Sequence, residues 1–456
     1  MKQTTQTTAS DDNITFRKLT MAENLKALGP GVIFVLTALG AGDLVDSSVS
    51  GSHYGYTLMW ALAAATLVRF LIVNIMARFE LCNTQKITLF EGYAGISKAF
   101  PYFFAAFGIF LGHTTNATMI KGVGEAIYHI FGFGSPFLWS VLAVASCFFV
   151  TRGNVYNRLE NIMKVLLAIM TACFLGLAIA STPDPVEIAG GLFAFSMPEG
   201  TGLFGAMMLT ISLVGAVAGS LTNFLYPHSI KEKGWKDASY KKIQRNELLF
   251  STIMLIVLNL TIWIVGAEIL RPAGIEVQSL EDISQALSMT FGRIGSVIFY
   301  LGVFGALYST ILGVANGYSG IVLENIHIFK PERREAYGEK TENDPWYKYL
   351  SLFYLLTPLV WCLPGMPNFV VLTLINNMFN TVALPAIAIG LLFLSLNKKY
   401  LSKRFRNNWF ETVVLILSLI HILMSCGRLQ LSWIRSLMTS APGKEAAIPI
   451  CTSTLS

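Results

Sequence analysis

Residues 28–51 read LGPGVIFVLTALGAGDLVDSSVSG: an apolar run opens after Ala27, is interrupted at Gly40-Ala41-Gly42-Asp43, and resumes from Leu44 with Asp46 inside it. The run is long enough to cross a bilayer, which takes about 20 residues, yet it carries two carboxylates. On insertion scales an Asp at the centre of a spanning helix costs about 3 kcal/mol, and each glycine removes about 1 kcal/mol of helix propensity. A helix that serves only as packing gains nothing from either feature. The pattern predicts a discontinuous membrane helix whose unwound middle frees backbone carbonyls and puts Asp43 near the midplane, as in secondary transporters with broken helices.

Composition points the same way. The chain has 456 residues, 54% hydrophobic and 13% charged, with a mean hydropathy of +0.57, whereas soluble domains carry about 25% charged residues. No polar linker divides the apolar runs, so one integral membrane domain is expected over residues 27–427, between a segment 1–26 and a tail 428–456. The net charge of +6 is no nucleic-acid signal, because Lys and Arg fall mainly in short loops between apolar runs. The six cysteines lack metal-ligand spacing and read as small core residues. Residues 1–26 are polar and include Asp11, Asp12 and Glu23, unlike a cleaved signal peptide. There is no HExxH, no phosphate loop with its Lys and no Gly-x-Ser-x-Gly elbow, which argues against an enzyme and calls for no cofactor.

The apolar runs are 28–50, 57–81, 102–131, 136–150, 162–181, 203–228, 248–270, 295–323, 349–363, 369–396 and 409–426, an all-α arrangement of eleven spans. Runs 136–150 and 349–363 are short for a hydrocarbon core of about 30 Å. With the amino terminus inside, the cytoplasmic loops hold Lys86 and Lys98, Arg152 and Arg158, six basic residues from Lys231 to Arg245, five from Lys330 to Lys348 and five from Lys398 to Arg406. The external loops hold only Arg271 and Arg293. The positive-inside rule therefore predicts a cytoplasmic amino terminus, an external carboxyl terminus and a multi-pass protein of a bacterial inner membrane. Trp60, Trp139, Trp346 and Trp409 stand near span ends, where indole rings anchor at the lipid interface.

A second interruption lies in span six, LFGAMMLTISLVGAVAGSLTNFLYPH over 203–228, with Gly215, Gly219, Ser220, Thr222 and Asn223 at its centre. Spans one and six are corresponding members of two five-span halves. Inverted repeats of that kind put a binding site at the midplane between two broken helices.

These residues carry a resemblance. Gly29-Pro30-Gly31-Val32-Ile33, the interrupted Gly40-Ala41-Gly42-Asp43, Tyr54-Gly55-Tyr56 with Trp60, Arg158-Leu159-Glu160, the Leu225-Tyr226-Pro227-His228-Ser229 ending of span six and the Gly- and Ser-rich span eight resemble the NRAMP family of divalent metal transporters, over residues 24–426. The resemblance implies the amino acid-polyamine-organocation, leucine-transporter-like fold with two inverted five-helix repeats and broken helices 1 and 6. It also implies alternating access and proton-coupled symport of manganese or iron. The departures are specific. Where the family has Asp-Pro-Gly-Asn in span one, this chain has Gly40, Ala41, Gly42 and Asp43; where it has Met-Pro-His in span six, Leu221, Thr222 and Asn223 stand; and Asn116 and Met119 replace an Asp and a Glu of span three. The expected metal site is therefore built of oxygen ligands, which suit magnesium or manganese.

The candidate substrate- and ion-binding residues are Gly40, Asp43, Asp46, Thr222, Asn223 and Asn377, with Asp43 and Asn223 the candidate metal ligands. A midplane carboxylate needs a bound cation, a proton or a basic partner, so Asp43 either binds an ion or neutralises Arg69 of span two. Asp46, on the same helix face, lines an external vestibule or caps the resumed helix. Asn377 matches a family position that supplies a metal-ligating amide. His228, Lys121 and Glu125 are candidates for proton coupling or gating, although Lys121 and Glu125 at i,i+4 also suit an intrahelical ion pair. The partners expected are lipid and a small cation. The rival is an ion-coupled transporter of a small organic solute, an amino acid or carboxylate, because the metal ligands are reduced while a helix amino terminus still faces the gap.

Overall fold

The structure, a computed structural model, describes residues 41–150 and 155–420. Gly40, the first half of span one and the segments 1–26 and 428–456 lie outside the described residues. Among the described residues the chain is all-helical, without strands. Six helices are long and apolar enough to cross a membrane: Met59–Cys82 (α2), Ala99–Phe131 (α4), the broken Ala206–Lys231, Ala238–Leu270, Leu280–Phe329 (α11) and Phe369–Leu396 (α14). Val165–Ala180, within Val155–Ala180 (α6), and Pro185–Phe193 (α7) make a seventh if a pair bent by 108° is one span. The remaining helices that matter below are Ala41–Tyr54 (α1), Leu89–Ile96 (α3), Pro136–Val150 (α5), Ala206–Val214 (α8), Leu225–Glu232 (α9), Lys241–Val265 (α10), Pro331–Tyr337 (α12), Pro345–Leu356 (α13) and the short apolar Trp409–Ile420 (α15). Within the described residues, the apolar runs from residue 57 onward are mostly helical backbone.

Local chemistry sets the ends and the breaks. α3 and α11 open on reciprocal capping boxes, Thr88 with Glu91 and Ser279 with Asp282. α14 opens on Asn368, whose side chain accepts from Val371 N. α11 runs 50 residues but turns at Gly292, whose φ of 59° and ψ of −147° leave the helical region. Only glycine adopts that conformation cheaply. In span six, α8 passes into a π-helical turn Gly215–Gly219, straightens at Ser220 (φ −64°, ψ 129°) and continues through a 3-10 turn Leu221–Phe224 into α9. The break expected from the glycine cluster is therefore present, and Ser220 Oγ accepts from Thr222 N to cap the second half.

Small residues let the backbones meet where the core is tightest. A Cβ on Gly51 of α1 would lie 2.5 Å from Trp263 O of α10, and one on Gly215 would lie 1.8 Å from Asn377 O of α14. Spans one and six thus pack backbone to backbone on their neighbours. Outward, Leu67, Leu142, Ile169, Ile253, Ile389 and Phe393 are exposed, apolar faces that suit lipid rather than water.

Ion pairs join the loops expected to be cytoplasmic to the ends of neighbouring helices. Arg334 of α12 pairs with Glu91 of α3, Lys231 with Glu80 of α2 at 2.9 Å, and Arg78 with Glu411 of α15 at 3.0 Å. Asp344, buried at the start of α13, accepts from His327 Nε2 and Arg333 Nε, both at 2.9 Å, and from Trp346 N. Burial alone would raise its pKa, but the hydrogen bonds from Arg333, His327 and Trp346 hold it at about 2, below the ordinary 3.8. A depressed carboxylate stabilises the fold above its unfolded pKa and loses that stabilisation as pH falls from about 4 towards 2. Asp344→Asn should cost about 2 kcal/mol, read as a lower Tm at pH 7 in detergent that converges with wild type near pH 2.

Candidate functional site

Four elements bring polar side chains to one place beside the span-six break. α1 is helical from Ala41, the first described residue, and carries Asp43 in helical backbone rather than in the unwound middle expected from the sequence. α14 supplies Thr373, Asn376, Asn377 and Asn380; α4 supplies Thr115, Thr118 and Met119; α11 supplies Ser309 and Thr310. With Ser220, Thr222 and Arg69 they line a cavity of about 320 Å³. Among the described residues, Asp43 is the one carboxylate and Arg69 the one cation on its wall. A cavity of this size holds roughly ten waters, so it takes a partly hydrated ion or a small organic molecule.

The two carboxylates of α1 have different settings. Asn259 of α10 donates to Asp43 Oδ1 at 2.9 Å and is itself approached by Ser47 Oγ at 3.4 Å. Asp43 still faces the cavity. Asp46 is 1% exposed and accepts from Ser212 Oγ at 2.6 Å and from Asn377 Nδ2 at 2.9 Å. Both of its oxygens are thus occupied by α8 and α14, and it ties span one to both of them from behind the cavity wall. Asn377 links the two settings, since it lines the cavity and holds Asp46.

The asparagines of α14 are held in register. Asn376 Oδ1 accepts from Thr114 Oγ1 at 2.7 Å, and Asn380 Nδ2 donates to Asn376 O at 3.2 Å. Asn380 Oδ1, buried, has no hydrogen-bond partner among the described residues. A buried orphan acceptor on a cavity wall suits an occupant that brings a positive charge or a donor.

Of the residues expected from the sequence, Asp43, Thr222 and Asn377 meet on the cavity wall and Asp46 stands directly behind it. Gly40 lies outside the described residues. Asn223 turns away from the wall: its Nδ2 donates to Ala218 O at 3.1 Å, satisfying a carbonyl at the end of the π-helical turn, and it lines a small adjoining cavity with Arg69, Phe70, Tyr226 and Ser251. His228 lines a separate cavity of about 560 Å³ with Glu91, Lys231, Glu324, His327 and Arg334. Lys121 Nζ donates to Trp361 O at 3.3 Å, and Glu125 Oε1 accepts from Phe369 N at 3.1 Å. Each is hydrogen-bonded to the segment leading into α14, and the two also act on each other electrostatically.

A larger cavity of about 700 Å³, lined by Tyr56, Glu187, Glu268 and Arg271, lies between α7 and the end of α10 and contains none of these residues. The hydroxyl lining of α4 and α11 and the anchoring roles of Asn259 and Ser212 had no distinct sequence signal, since Ser, Thr and Asn in spans commonly bond their own helix. Arg69 did have one, as a charge inside an apolar run.

A polar cavity beside a broken helix, inside a bundle of membrane-crossing helices, defines a membrane transporter. Residues 31–432 match the Nramp family, described as natural resistance-associated macrophage protein-like, and the chain belongs to that family. The family is one of transporters and not of enzymes. The divalent metal cation transporter MntH of Listeria innocua is 26% identical over 327 residues, 68% of this chain and 69% of that protein. The crystal structure of the Eremococcus coleocola manganese transporter in complex with an aromatic bis-isothiourea substituted compound has a TM-score of 0.73 at 18% identity, covering 95% of this chain and 93% of that one. MhsT in complex with L-phenylalanine has a TM-score of 0.51 at 15% identity, covering 90% of this chain and 98% of that one. The fold is therefore leucine-transporter-like.

Proposed function

We propose that the protein is a secondary transporter that carries a divalent metal cation through the cavity at Asp43 by alternating access. What supports the cation is the wall itself: the Asp43 carboxylate, the amides of Asn377 and Asn380, and the hydroxyls of Ser220 and Thr222 around one cavity. Oxygen donors of this kind suit magnesium or manganese. Met119 adds one thioether, from span three rather than span six. In this reading the chain has eleven spans with inverted five-helix halves, sits in the bacterial inner membrane with its amino terminus in the cytoplasm, and exposes the cavity of His228 on the cytoplasmic side as an exit path. Asp43 and Asn377 hold the ion, Asp46 positions Asn377, and Asn223 keeps the span-six break open.

A second reading rests on Arg69. A carboxylate and a guanidinium on one wall also match a zwitterion, such as an amino acid, whose ammonium and carboxylate would meet them. Uptake into proteoliposomes separates the two. Manganese or magnesium should accumulate while a panel of amino acids and organic acids does not. Uptake of an amino acid without metal uptake would replace the first reading with the second.

A further inference from the structure

We infer that Arg69 is the resident counter-cation of Asp43: in the empty carrier its guanidinium keeps the cavity electrically neutral, and an arriving divalent cation displaces it. This rests on the reading of the cavity as a cation site. Arg69 projects from α2, half-buried, and lines two spaces at once, the central cavity with Asp43 and the adjoining cavity with Asn223, Tyr226, Ser251 and Thr252. The partition between them is therefore a charged side chain on a long flexible stem. Among the described residues it makes no ion pair or hydrogen bond, while Asp43 acts on it electrostatically across the cavity.

The consequence follows from the charges. Asp43 and Arg69 sum to zero, so among the described residues the cavity wall offers no net charge to the apolar surroundings. A divalent cation at Asp43 meets repulsion from the guanidinium, which can turn towards the polar rim of the adjoining cavity formed by Asn223 and Ser251. When the ion leaves, the guanidinium returns and Asp43 is not left uncompensated while the carrier reorients. An uncompensated carboxylate inside the membrane opposes that return. Arg69 thus lowers affinity for the cation and assists the empty step, two effects that one substitution separates.

The test uses the full chain with Arg69→Gln and Arg69→Lys, manganese as the probe, calorimetry in detergent, and proteoliposomes that are either metal-free or manganese-loaded inside. Arg69→Gln should bind manganese about tenfold more tightly, keep manganese exchange, and lose net uptake about tenfold relative to exchange. Arg69→Lys, which keeps the charge, should resemble wild type on both counts. Manganese should also raise the Tm of Arg69→Gln more than that of wild type, a difference that a packing role for Arg69 would not produce. Unchanged or weaker manganese affinity in Arg69→Gln, with sound binding by wild type, overturns the counter-cation alone. Absence of manganese and magnesium binding in wild type and both variants overturns it together with the cation site.

Discussion

Asp43→Asn should abolish metal transport while leaving the protein folded. The substitution keeps the size of the side chain and an oxygen for the 2.9 Å hydrogen bond from Asn259, and removes the one carboxylate on the cavity wall among the described residues. A loss of about a hundredfold or more in manganese affinity corresponds to about 2.7 kcal/mol, a modest figure for deleting a full charge from an ion site. The competing account makes Asp43 the structural partner of Arg69. Removing one member of a buried ion pair costs about 3–5 kcal/mol, and the double change Asp43→Asn with Arg69→Gln would then restore stability. Arg69 lines a cavity and forms no ion pair within 4 Å among the described residues, so water can solvate it when Asp43 loses its charge. The single variant is expected to keep a Tm within a few degrees of wild type, and the double variant is expected to remain inactive. A poorly folded single variant rescued by the second change would move Asp43 from the site to the scaffold.

Gly215→Ala should be the most damaging glycine substitution among the described residues. A methyl group there would lie 1.8 Å from Asn377 O and 2.4 Å from Thr381 Oγ1, and the first of these is backbone in the middle of α14. Overpacking a core costs about 1–3 kcal/mol, occasionally more, and an obstacle that cannot rotate away puts this case at the upper end. The displaced residue is Asn377, which lines the cavity and holds Asp46, so transport should fall even in protein that still folds. Gly176→Ala is the control. It lies in α6 with nothing within 4 Å of the added methyl, and Ala in a helix gains about 0.5–1 kcal/mol over Gly. Equal stability of the two variants, measured by thermal unfolding in detergent, would contradict the close packing of span six on α14.

Much of the architecture was legible because the membrane imposes a simple rule, one apolar run per helix. The run at 369–396 has the same ends as α14, and the polar cluster at 215–223 marked the true break of span six. Amphipathic pieces escaped that rule. The run read as 295–323 belongs to a helix that starts at Leu280, because the segment before Gly292 carries Glu281, Asp282 and Gln285 among its apolar residues. α7 fell in what read as an external loop over 182–201, because its nine residues, bent by 108° from the helix before, are too few to read as a span. In the site, charges and amides inside apolar runs were visible at Asp43, Asn377 and Arg69. Which way each one points was not visible. Asn223 and Thr222 are adjacent, yet the 3-10 turn sends Thr222 to the central cavity and Asn223 to Ala218 O, and Lys121 and Glu125 take hydrogen bonds with Trp361 O and Phe369 N besides acting on each other.

The central claim is that a divalent cation occupies the cavity at Asp43, and anomalous diffraction from crystals of the protein grown with manganese tests it most directly. The account predicts one manganese peak inside the cavity, at a coordination distance of about 2.0–2.6 Å from Asp43 and within reach of Asn377, and its loss in Asp43→Asn. A cavity without manganese in the wild-type protein, or a peak only at Glu91 and Glu324 or at Glu187 and Glu268, would contradict it.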